Sequence, residues 1–396
     1  MEHGLRVLII TPIYPPSKGG PSEQTELLAR KLNELGLRSR VCVCRNTPKV
    51  EARFSIDCVQ VGGERGPGLL GRLLRRVKML IGVVRVIRDF VPDVVHVQTF
   101  AGPVTSMVGI YCLLLRIPSV VKITGERTHE FLMEKGFDRA SVVYNTLSAV
   151  LTVWDRLILS CFSRLWVTSP QFQERFETVY GISSKRISLV PNFRDLAEFQ
   201  RMGCTLERRS TAGLPLRILT VARLRPWKGI EKCIRVLSRF EDGEIVWTFA
   251  GSGQSSYEQA LRRQADEQGV SGSIRWLGDV DEWELSKIYS GSDLFVLMSD
   301  REPFGIVLLE AMSFGLPILA SNVDGVPFVL EGSKNTTLQS KDDLNALESE
   351  CRKHLGFKKE NTEGARQVNL ETLERFSSDR CVKELASIYA GLASSN

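Results

Sequence analysis

Two glutamates lie eight positions apart around a glycine in the stretch EPFGIVLLEA, residues 302–311. A strand-length apolar run, residues 292–299, precedes it, and the apolar run after Gly305 predicts a buried helix. Glu302 is therefore expected on the loop between strand and helix, and Glu310 inside the helix. The amides and positive dipole end of a helix N-terminus can bind a diphosphate. This spacing suits a nucleotide-sugar site, although two isolated glutamates would more often be exposed and solvated.

A second loop, ARLRPWKG, carries two cations at the end of a predicted strand. Arg223 and Lys228 lie five residues apart, before a helix that Gly229 is expected to open. Two cations at this place can neutralise a diphosphate leaving group, because they supply charge where charge develops. Solvated surface charge is the alternative, and the loop taken alone would favour it.

A third loop, PIYPPSKGGPS, follows the first predicted strand. It contains Gly19 and Gly20, where a backbone can approach a ligand closely. A lone pair of glycines more often makes only a turn. The four histidines are scattered, and phosphate charge can be met by Arg, Lys and helix amides, so no metal site is expected.

Size and composition limit the classes of function. A chain of 396 residues exceeds one ordinary core, so two domains are expected. The net charge of +6 is too small for a nucleic-acid-binding protein, and no nucleic-acid partner is predicted. Nine scattered cysteines without a C-x-x-C pair indicate a reduced protein. The first residues lack a signal-peptide pattern, and apolar runs such as residues 104–117 are too short to span a bilayer. We therefore expect a cytoplasmic protein without a transmembrane helix.

Strand-like apolar runs alternate with helical patterns through most of the chain. This alternation predicts α/β domains with parallel sheets. The predicted strands are residues 6–10, 40–44, 93–98, 119–124, 164–169, 186–191, 216–224, 244–253, 273–280, 292–299 and 316–321. The polar, arginine-rich segment 193–215 shows no clean period and is interpreted as a linker, and residues 377–392 are expected to form a helix.

Taken together, these motifs resemble those of retaining glycosyltransferase family 4, the group 1 glycosyl transferases, over nearly the whole chain. They are GG at 19–20, ARLRPWKG at 222–229, AGSG at 250–253, SDREPFGIVLLEAMSFGLPILAS at 299–321 and VDGVPFVL at 323–330. The resemblance implies the GT-B fold, in which two Rossmann-like doubly wound domains face each other across a cleft. Residues 1–200 would bind the acceptor and residues 201–376 the nucleotide-sugar donor, while residues 377–396 would form a helix that crosses back to the first domain.

The resemblance also implies roles for matching residues. Arg223 and Lys228 would bind the donor diphosphate, Glu310 the ribose, and Glu302 the hydroxyls of the transferred sugar. Further donor-binding positions are Gly19, Gly20, Ser252, Gly253, Pro303, Phe304, Gly305, Ile306 and Val307. The implied reaction transfers a hexose or N-acetylhexosamine, with retention and without a metal or other cofactor, from a nucleoside-diphosphate sugar. UDP-sugars are the commonest donors of the family, and the acceptor would be a glycan or lipid-linked hydroxyl in cell-surface polysaccharide biosynthesis.

Two positions depart from the family pattern. A histidine usually follows the strand that reads VVKIT here, and Thr124 stands in its place. Lys122, Thr124 or His129 would then lie on the acceptor or donor-sugar side. The segment PNFRD lacks the glycine that usually follows the asparagine, which is expected to affect the linker. Two alternatives stay open: a non-catalytic GT-B binding subunit, suggested by Thr124, and a nucleotide-sugar epimerase, which the ARLRPWKG and EPFG motifs disfavour.

One further stretch is strongly basic. Residues 65–88 contain seven basic residues and no acidic ones, with apolar residues at helical spacing. A cationic amphipathic helix of this kind can lie on an anionic membrane surface. A domain helix whose apolar side faces the core fits the spacing equally well. The first interpretation predicts peripheral association with the cytoplasmic face of a membrane.

Overall fold

The computed structural model describes residues 4–15, 20–44, 56–61, 68–100, 102–134, 137, 141–203, 215–355 and 362–395. The chain divides into two compact units. One consists of Met1–Arg194 with Ser377–Asn396, and the other is Asp195–Phe376. Each unit is built on a sheet whose strands pair in parallel. The predicted parallel α/β architecture is confirmed.

The first unit contains seven described strands. They are β1 (Arg6–Thr11), β2 (Arg38–Val43), β3 (Asp57–Gln60), β4 (Val94–Val97), β5 (Ser119–Lys122), β6 (Arg164–Val167) and β7 (Ile187–Leu189). They pair in the order β3-β2-β1-β4-β5-β6-β7. The helices before the second unit are α1 (Gly20–Glu34), α2 (Gly68–Phe90), α3 (Gly102–Leu114), α4 (Arg127–Glu134), α5 (Val142–Ser160) and α6 (Pro170–Thr178). Strands such as β4 (VVHV) and β5 (SVVK) are buried throughout, and apart from His96, Ser119 and Lys122 their residues are valines.

The second unit contains six described strands and eight described helices. The strands are β8 (Leu216–Val221), β9 (Ile245–Ala250), β10 (Ile274–Gly278), β11 (Leu294–Leu297), β12 (Ile318–Ser321) and β13 (Thr336–Gln339), in the order β10-β9-β8-β11-β12-β13. The helices are α7 (Leu196–Gly203), α8 (Ile230–Leu237), α9 (Ser255–Glu267), α10 (Glu282–Gly291), α11 (Ile306–Ser313), α12 (Val326–Leu330), α13 (Leu344–His354) and α14 (Thr362–Leu373).

The last helix, α15 (Ser378–Ser394), belongs to the first unit and packs against α1. Alternation along β1 shows how the two faces of this sheet are covered. Val7 and Ile9 pack with α1 and α15, whereas Leu8 and Ile10 pack with α2, α3, α5 and α6. The helices α2, α3 and α5 therefore cover the same face of the sheet, with α3 in contact with both of the others.

Part of the predicted linker is helical. Within residues 193–215, helix α7 occupies Leu196–Gly203, and residues 204–214 lie outside the described part of the chain. Phe199 is buried and makes edge-to-face contacts with Tyr289 and Phe314 of the second unit. The linker interpretation was therefore wrong for α7, which is held by this packing.

Helix α5 differs from the sequence-based expectation. Within the described residues it is the one helix long and apolar enough, by length and composition, to cross a membrane, and 22 % of its apolar window is buried. The prediction had taken runs such as residues 104–117 to be the longest apolar stretches and missed α5, because threonine, serine and asparagine interrupt its leucines and valines.

Candidate functional site

The predicted donor residues of the second unit lie on loops at the carboxyl ends of β8, β9 and β11 and in the helix α11 that follows β11. The strand order of this sheet reverses between β8 and β11. Ligands of open α/β sheets bind outside the carboxyl ends of the strands at such a reversal. The fold therefore places the loops that carry Arg223, Lys228 and Glu302 where a ligand site is expected.

The structure brings Lys228 and Glu302 together. The Lys228 ammonium donates to Glu302 Oε2 at 2.6 Å, although the two residues are 74 positions apart in the chain. Their side chains are 17 % and 10 % exposed. Next to the pair, the amide of Asp300 donates to the Trp227 carbonyl at 2.7 Å and joins the two loops. Glu302 is thus a buried, paired carboxylate and not a solvated loop acid.

A glycine allows the two loops to approach each other. Gly229 caps the N-terminus of α8, as expected, with φ of +69°. A Cβ at Gly229 would lie 2.0 Å from the carbonyl oxygen of Met298, which follows β11. No other residue type fits this close contact in that conformation. Gly229 therefore sets the distance at which Lys228 meets Glu302.

The helix N-terminus beside the pair is α11. Gly305 caps it with φ of +84°, and the first turn of a helix leaves backbone amides that donate to no carbonyl within the helix. The Phe304 ring is buried against Phe376, so only the main chain of Phe304 can contact a ligand. Ile306 and Val307 are half-buried at the start of the helix. The amides of this turn are suited to a phosphate or a sugar hydroxyl.

Glu310 lies one helical turn further along α11. It is 2 % exposed, and its Oε2 accepts a hydrogen bond of 2.8 Å from the Tyr289 hydroxyl. Glu310 is therefore not a solvated helix position. The Tyr289 hydroxyl fixes the orientation of this carboxylate inside the unit.

Asp324 holds Glu302 in place and was not predicted as a site residue. Its Oδ2 accepts from the Glu302 amide and from Arg301 Nε, both at 2.9 Å. The Gly325 amide donates in return to the Glu302 carbonyl at 3.1 Å. Asp324 has φ of +42°, a conformation that aspartate adopts more readily than most residues. The Asp-Gly pair of VDGVPFVL was the sequence signal for this turn.

The loops after β8 and β9 run side by side. The Leu224 amide donates to the Ser252 carbonyl at 2.9 Å, and a Cβ at Gly253 would lie 2.3 Å from the Leu224 carbonyl oxygen. The Gly253 amide donates to the Glu258 carboxylate. Arg223 is exposed on the first of these loops. Gly253 is thus needed for close packing, and its amide is already engaged within the unit.

The predicted residues of the first unit are placed differently. Gly20 begins α1 and is half-buried, whereas Gly19 lies outside the described residues. Thr124 is half-buried after β5, and His129 lies in α4 with a side chain outside the described part. Lys122 is 1 % exposed; its ammonium donates to Gln24 Oε1 and lies 4.1 Å from the centre of the Trp166 ring. Burial lowers the pKa of the Lys122 amine well below its usual range.

A buried histidine joins α15 to the sheet. His96 Nδ1 is 2.9 Å from the Tyr389 hydroxyl, and His96 Nε2 is 2.8 Å from Gln98 Oε1. Burial lowers the pKa of His96 to about 3. The neutral ring therefore links the last helix to β4, a role that the sequence did not indicate.

Comparisons with known proteins agree on glycosyl transferases. The glycosyl transferases group 1 family matches residues 209–356, and the glycosyl transferase 4-like domain family matches residues 19–192. A D-inositol 3-phosphate glycosyltransferase of Mycobacterium tuberculosis is 29 % identical over 194 residues, which are 48 % of this chain. The match spans 40 % of the length of that relative.

Two solved structures show the same fold. Sucrose-phosphate synthase from Thermosynechococcus elongatus superimposes with a TM-score of 0.75 and 18 % identity, over 99 % of this chain and 100 % of that one. Anabaena Alr3699/HepE, in complex with UDP and glucose, superimposes with a TM-score of 0.69 and 18 % identity, over 98 % and 100 %. The two parallel α/β units are therefore those of the GT-B fold.

Proposed function

The chain belongs to the group 1 glycosyl transferases, a family 4 type with the GT-B fold, and on that premise we propose that it transfers a sugar from a nucleoside-diphosphate sugar to a hydroxyl group with retention of configuration. The observation that carries the proposal is the pair of Lys228 and Glu302. A cation suited to a diphosphate lies within one hydrogen bond of a carboxylate suited to sugar hydroxyls. In a nucleoside-diphosphate sugar the diphosphate and the sugar are likewise adjacent, since they are directly bonded.

In the proposed reaction the bond between the anomeric carbon and the diphosphate oxygen breaks, and its electron pair stays on the phosphate. Lys228, Arg223 and the amides of residues 304–307 stabilise that charge, which develops in the transition state. The acceptor oxygen attacks from the face that the phosphate leaves, and the phosphate takes the acceptor proton. Glu302 holds the sugar hydroxyls, and Glu310 with Tyr289 is placed for the ribose. The protein charges suffice for this step without a metal ion.

For the donor we propose a UDP-sugar carrying a hexose or N-acetylhexosamine. The supporting observation is that Anabaena Alr3699/HepE, which shares the fold, is described in complex with UDP and glucose. For the acceptor we propose a glycan or lipid-linked hydroxyl of a cell-surface polysaccharide pathway. The exposed cations of α2 support a cytoplasmic protein that associates with the membrane through residues 65–88.

Two alanine variants test the site. Lys228→Ala and Glu302→Ala should each lower sugar transfer at least ~100-fold, because each removes charge or hydrogen bonding at the reacting groups. Lys353→Ala is a matched control, since it breaks an ion pair with Glu350 at an ammonium that is 63 % exposed. The control should transfer at the wild-type rate, and all three should retain the wild-type circular dichroism spectrum. Full transfer by either site variant would contradict the proposed site.

A non-catalytic binding subunit is the second candidate, favoured by Thr124 at the position of the family histidine. Such a subunit would bind a UDP-sugar without consuming it. Incubation of the purified chain with radiolabelled UDP-sugars and a membrane extract separates the two. Transfer of label that persists in EDTA supports the metal-independent enzyme, whereas donor binding without any transfer or hydrolysis supports the binding subunit.

A further inference from the structure

The outer face of α5 is apolar along the whole helix. Val143, Leu147, Val150, Trp154 and Leu157 follow one another at intervals of four and three residues and are 38 % to 62 % exposed. At this spacing they share one face of the helix. Within α5 the one exposed side chain with a charge is that of Arg156. Four turns of helix thus present an uncharged apolar stripe to the outside of the unit.

The inner face of α5 is fixed to the first unit, so the orientation of the stripe is set by the fold. The Asp155 carboxylate accepts from Thr128 Oγ1 at 2.9 Å and forms an ion pair with Arg127, both on α4. Ile158 and Leu159 are buried in the core under the sheet. A helix anchored along one side in this way does not span a bilayer. Its apolar outer face can still lie against one.

The neighbouring helix continues the apolar surface. α3 contains no charged residue, and its outer residues Met107, Ile110, Leu113 and Leu114 are 40 % to 74 % exposed. Most of the exposed large hydrophobic side chains among the described residues lie in the first unit. The second unit contributes three, which are Leu277, Trp283 and Leu338. Exposed apolar residues are normal when scattered, but a contiguous patch of this kind marks an interaction surface.

Helix α2, on the other side of α3, adds positive charge. Its first half exposes Leu73, Leu74, Val77 and Ile81, whereas its last turns bury Val83, Val86, Ile87 and Phe90 in the core. The last turns of α2 therefore pack as a domain helix, while its first half keeps the exposed basic and apolar side chains that the membrane interpretation requires. The same helix exposes the cations Arg72, Arg76, Lys78 and Arg85. No acidic residue occurs from 65 to 88.

We propose that the outer faces of α3 and α5 insert into the interfacial region of an anionic lipid bilayer while the cations of α2 contact its headgroups. The proposal rests on the membrane association proposed above and assigns it to an insertion surface that the basic stretch alone did not reveal. Uncharged apolar residues beside a cluster of cations are complementary to acyl chains beneath anionic headgroups. The surface would hold the first unit, the expected acceptor side, at the membrane.

A second copy of the chain is the competing occupant, because the four-and-three spacing on α5 is also typical of coiled-coil seams. A two-fold interface pairs the same surface with itself. In such a dimer the outer faces of α3 and α5 would supply no carboxylate to pair with the cations of α2. The charge distribution therefore favours the anionic bilayer over self-association.

Vesicle co-sedimentation of the full chain tests the proposal. The probes are phosphatidylcholine vesicles with and without phosphatidylglycerol. Trp154→Glu should weaken binding to the anionic vesicles at least tenfold, because it places a charge on the inserted face. Trp283→Glu is the matched control, since Trp283 is 54 % and Trp154 is 55 % exposed but Trp283 lies in the second unit. Wild type and control should bind equally, and both should bind much less without phosphatidylglycerol.

A second measurement avoids any effect of the added charge on folding. Brominated acyl chains should quench part of the tryptophan fluorescence of the wild type on anionic vesicles, and Trp154→Phe should lose that part. Equal vesicle binding by Trp154→Glu and the control, or quenching unchanged in Trp154→Phe, would overturn the insertion of α5. A dimer in sedimentation velocity that Trp154→Glu dissociates, without vesicle binding, would instead assign the face to a second copy.

Failure of the insertion proposal can be distinguished from failure of the proposed glycosyl transfer. Titration of the same variants with a UDP-sugar reports on the proposed donor site, which contains no residue of α3 or α5. Trp154→Glu should bind donor as the wild type does while losing vesicle binding. A wild-type chain that binds anionic vesicles but no nucleotide sugar would contradict the glycosyl-transfer proposal and leave the insertion surface standing.

Discussion

Replacing Asp324 by glycine should loosen Glu302 without straining the main chain. The Asp324 carboxylate accepts from the Glu302 amide and from Arg301 Nε, both at 2.9 Å. Its φ of +42° lies in a region that glycine adopts freely. Asp324→Gly therefore keeps the turn and removes the carboxylate. The variant separates the hydrogen bonds of Asp324 from its backbone conformation.

The expected magnitude follows from these contacts. A hydrogen bond to a charged group contributes about 1.5–3 kcal/mol, and the low end applies because the Arg301 and Asp324 side chains are 19 % and 16 % exposed. Loss of the two hydrogen bonds should destabilise the folded state by about 3 kcal/mol. Glycine adopts the left-handed conformation without strain, which restores about 1 kcal/mol of that loss. The free energy of unfolding of the second unit should fall by about 2 kcal/mol. A displacement of Glu302 by ~1 Å would lower turnover ~100-fold.

Steady-state transfer by the wild type, Asp324→Gly and Asp324→Asn measures the effect. Asparagine keeps an acceptor oxygen and tolerates positive φ, so its turnover should stay within about fivefold of the wild type. In the glycine variant kcat should fall by a larger factor than KM rises, because Glu310, the residue proposed to bind the ribose, is not changed. Wild-type turnover by Asp324→Gly, together with the predicted loss of stability, would refute the positioning role and leave Asp324 a purely structural residue.

Three further perturbations test the packing within the two units. Burial lowers the pKa of His96 to about 3, so below pH 6.5 the unfolded chain binds more protons than the folded chain. The free energy of unfolding of the first unit should therefore fall by about 2 kcal/mol from pH 7 to pH 5. Hydrogen exchange of the β4 amides should report this fall in the wild type and not in His96→Gln. Gly229→Ala should lower the melting temperature of the second unit and abolish transfer, because the new Cβ would lie 2.0 Å from the Met298 carbonyl oxygen. Gly243→Ala is the control: Gly243 has φ of +85° with open space around it, so this variant should lower the free energy of unfolding by only about 1 kcal/mol. Phe199→Ala should destabilise the second unit by about 3–5 kcal/mol in urea titrations and release α7, and an unchanged midpoint would contradict its anchoring role.

The fold was largely predictable because its central strands are buried on both faces. LFVL is a continuous apolar segment of strand length and forms β11, and VVHV, which is interrupted only by His96, forms β4. The edge strands β3 and β13 were missed, since DCVQ has two polar residues of four and TTLQ three, and both strands are only partly buried. Helix α7 was missed for a different reason. Eight residues show too little of a helical period, and the helix depends on the tertiary packing of Phe199.

For the candidate site, the sequence predicted which loops carry the charged residues, but not the contacts between them. Lys228 and Glu302 meet because β8 lies beside β11, a pairing that neither motif encodes. Asp324 accepts a hydrogen bond from the main-chain amide of Glu302, a contact that does not depend on which side chain is at position 302. The EPFG motif therefore gives no indication of it. Lys122 lies within a predicted strand, residues 119–124, and its amine points into the core against Trp166. The apolar face of α5 was hidden because exposed and buried leucines read alike in a sequence.

The central claim is that the pair of Lys228 and Glu302 binds the diphosphate and sugar of a nucleotide-sugar donor. Calorimetric titration of the wild type and Lys228→Ala with UDP-, GDP- and ADP-sugars tests it most directly. One donor class, expected to be the UDP-sugars, should bind the wild type and bind Lys228→Ala at least ~30-fold more weakly, a difference of about 2 kcal/mol. Equal affinity of both proteins for the donor, or binding of no nucleotide sugar by the wild type, would contradict the claim.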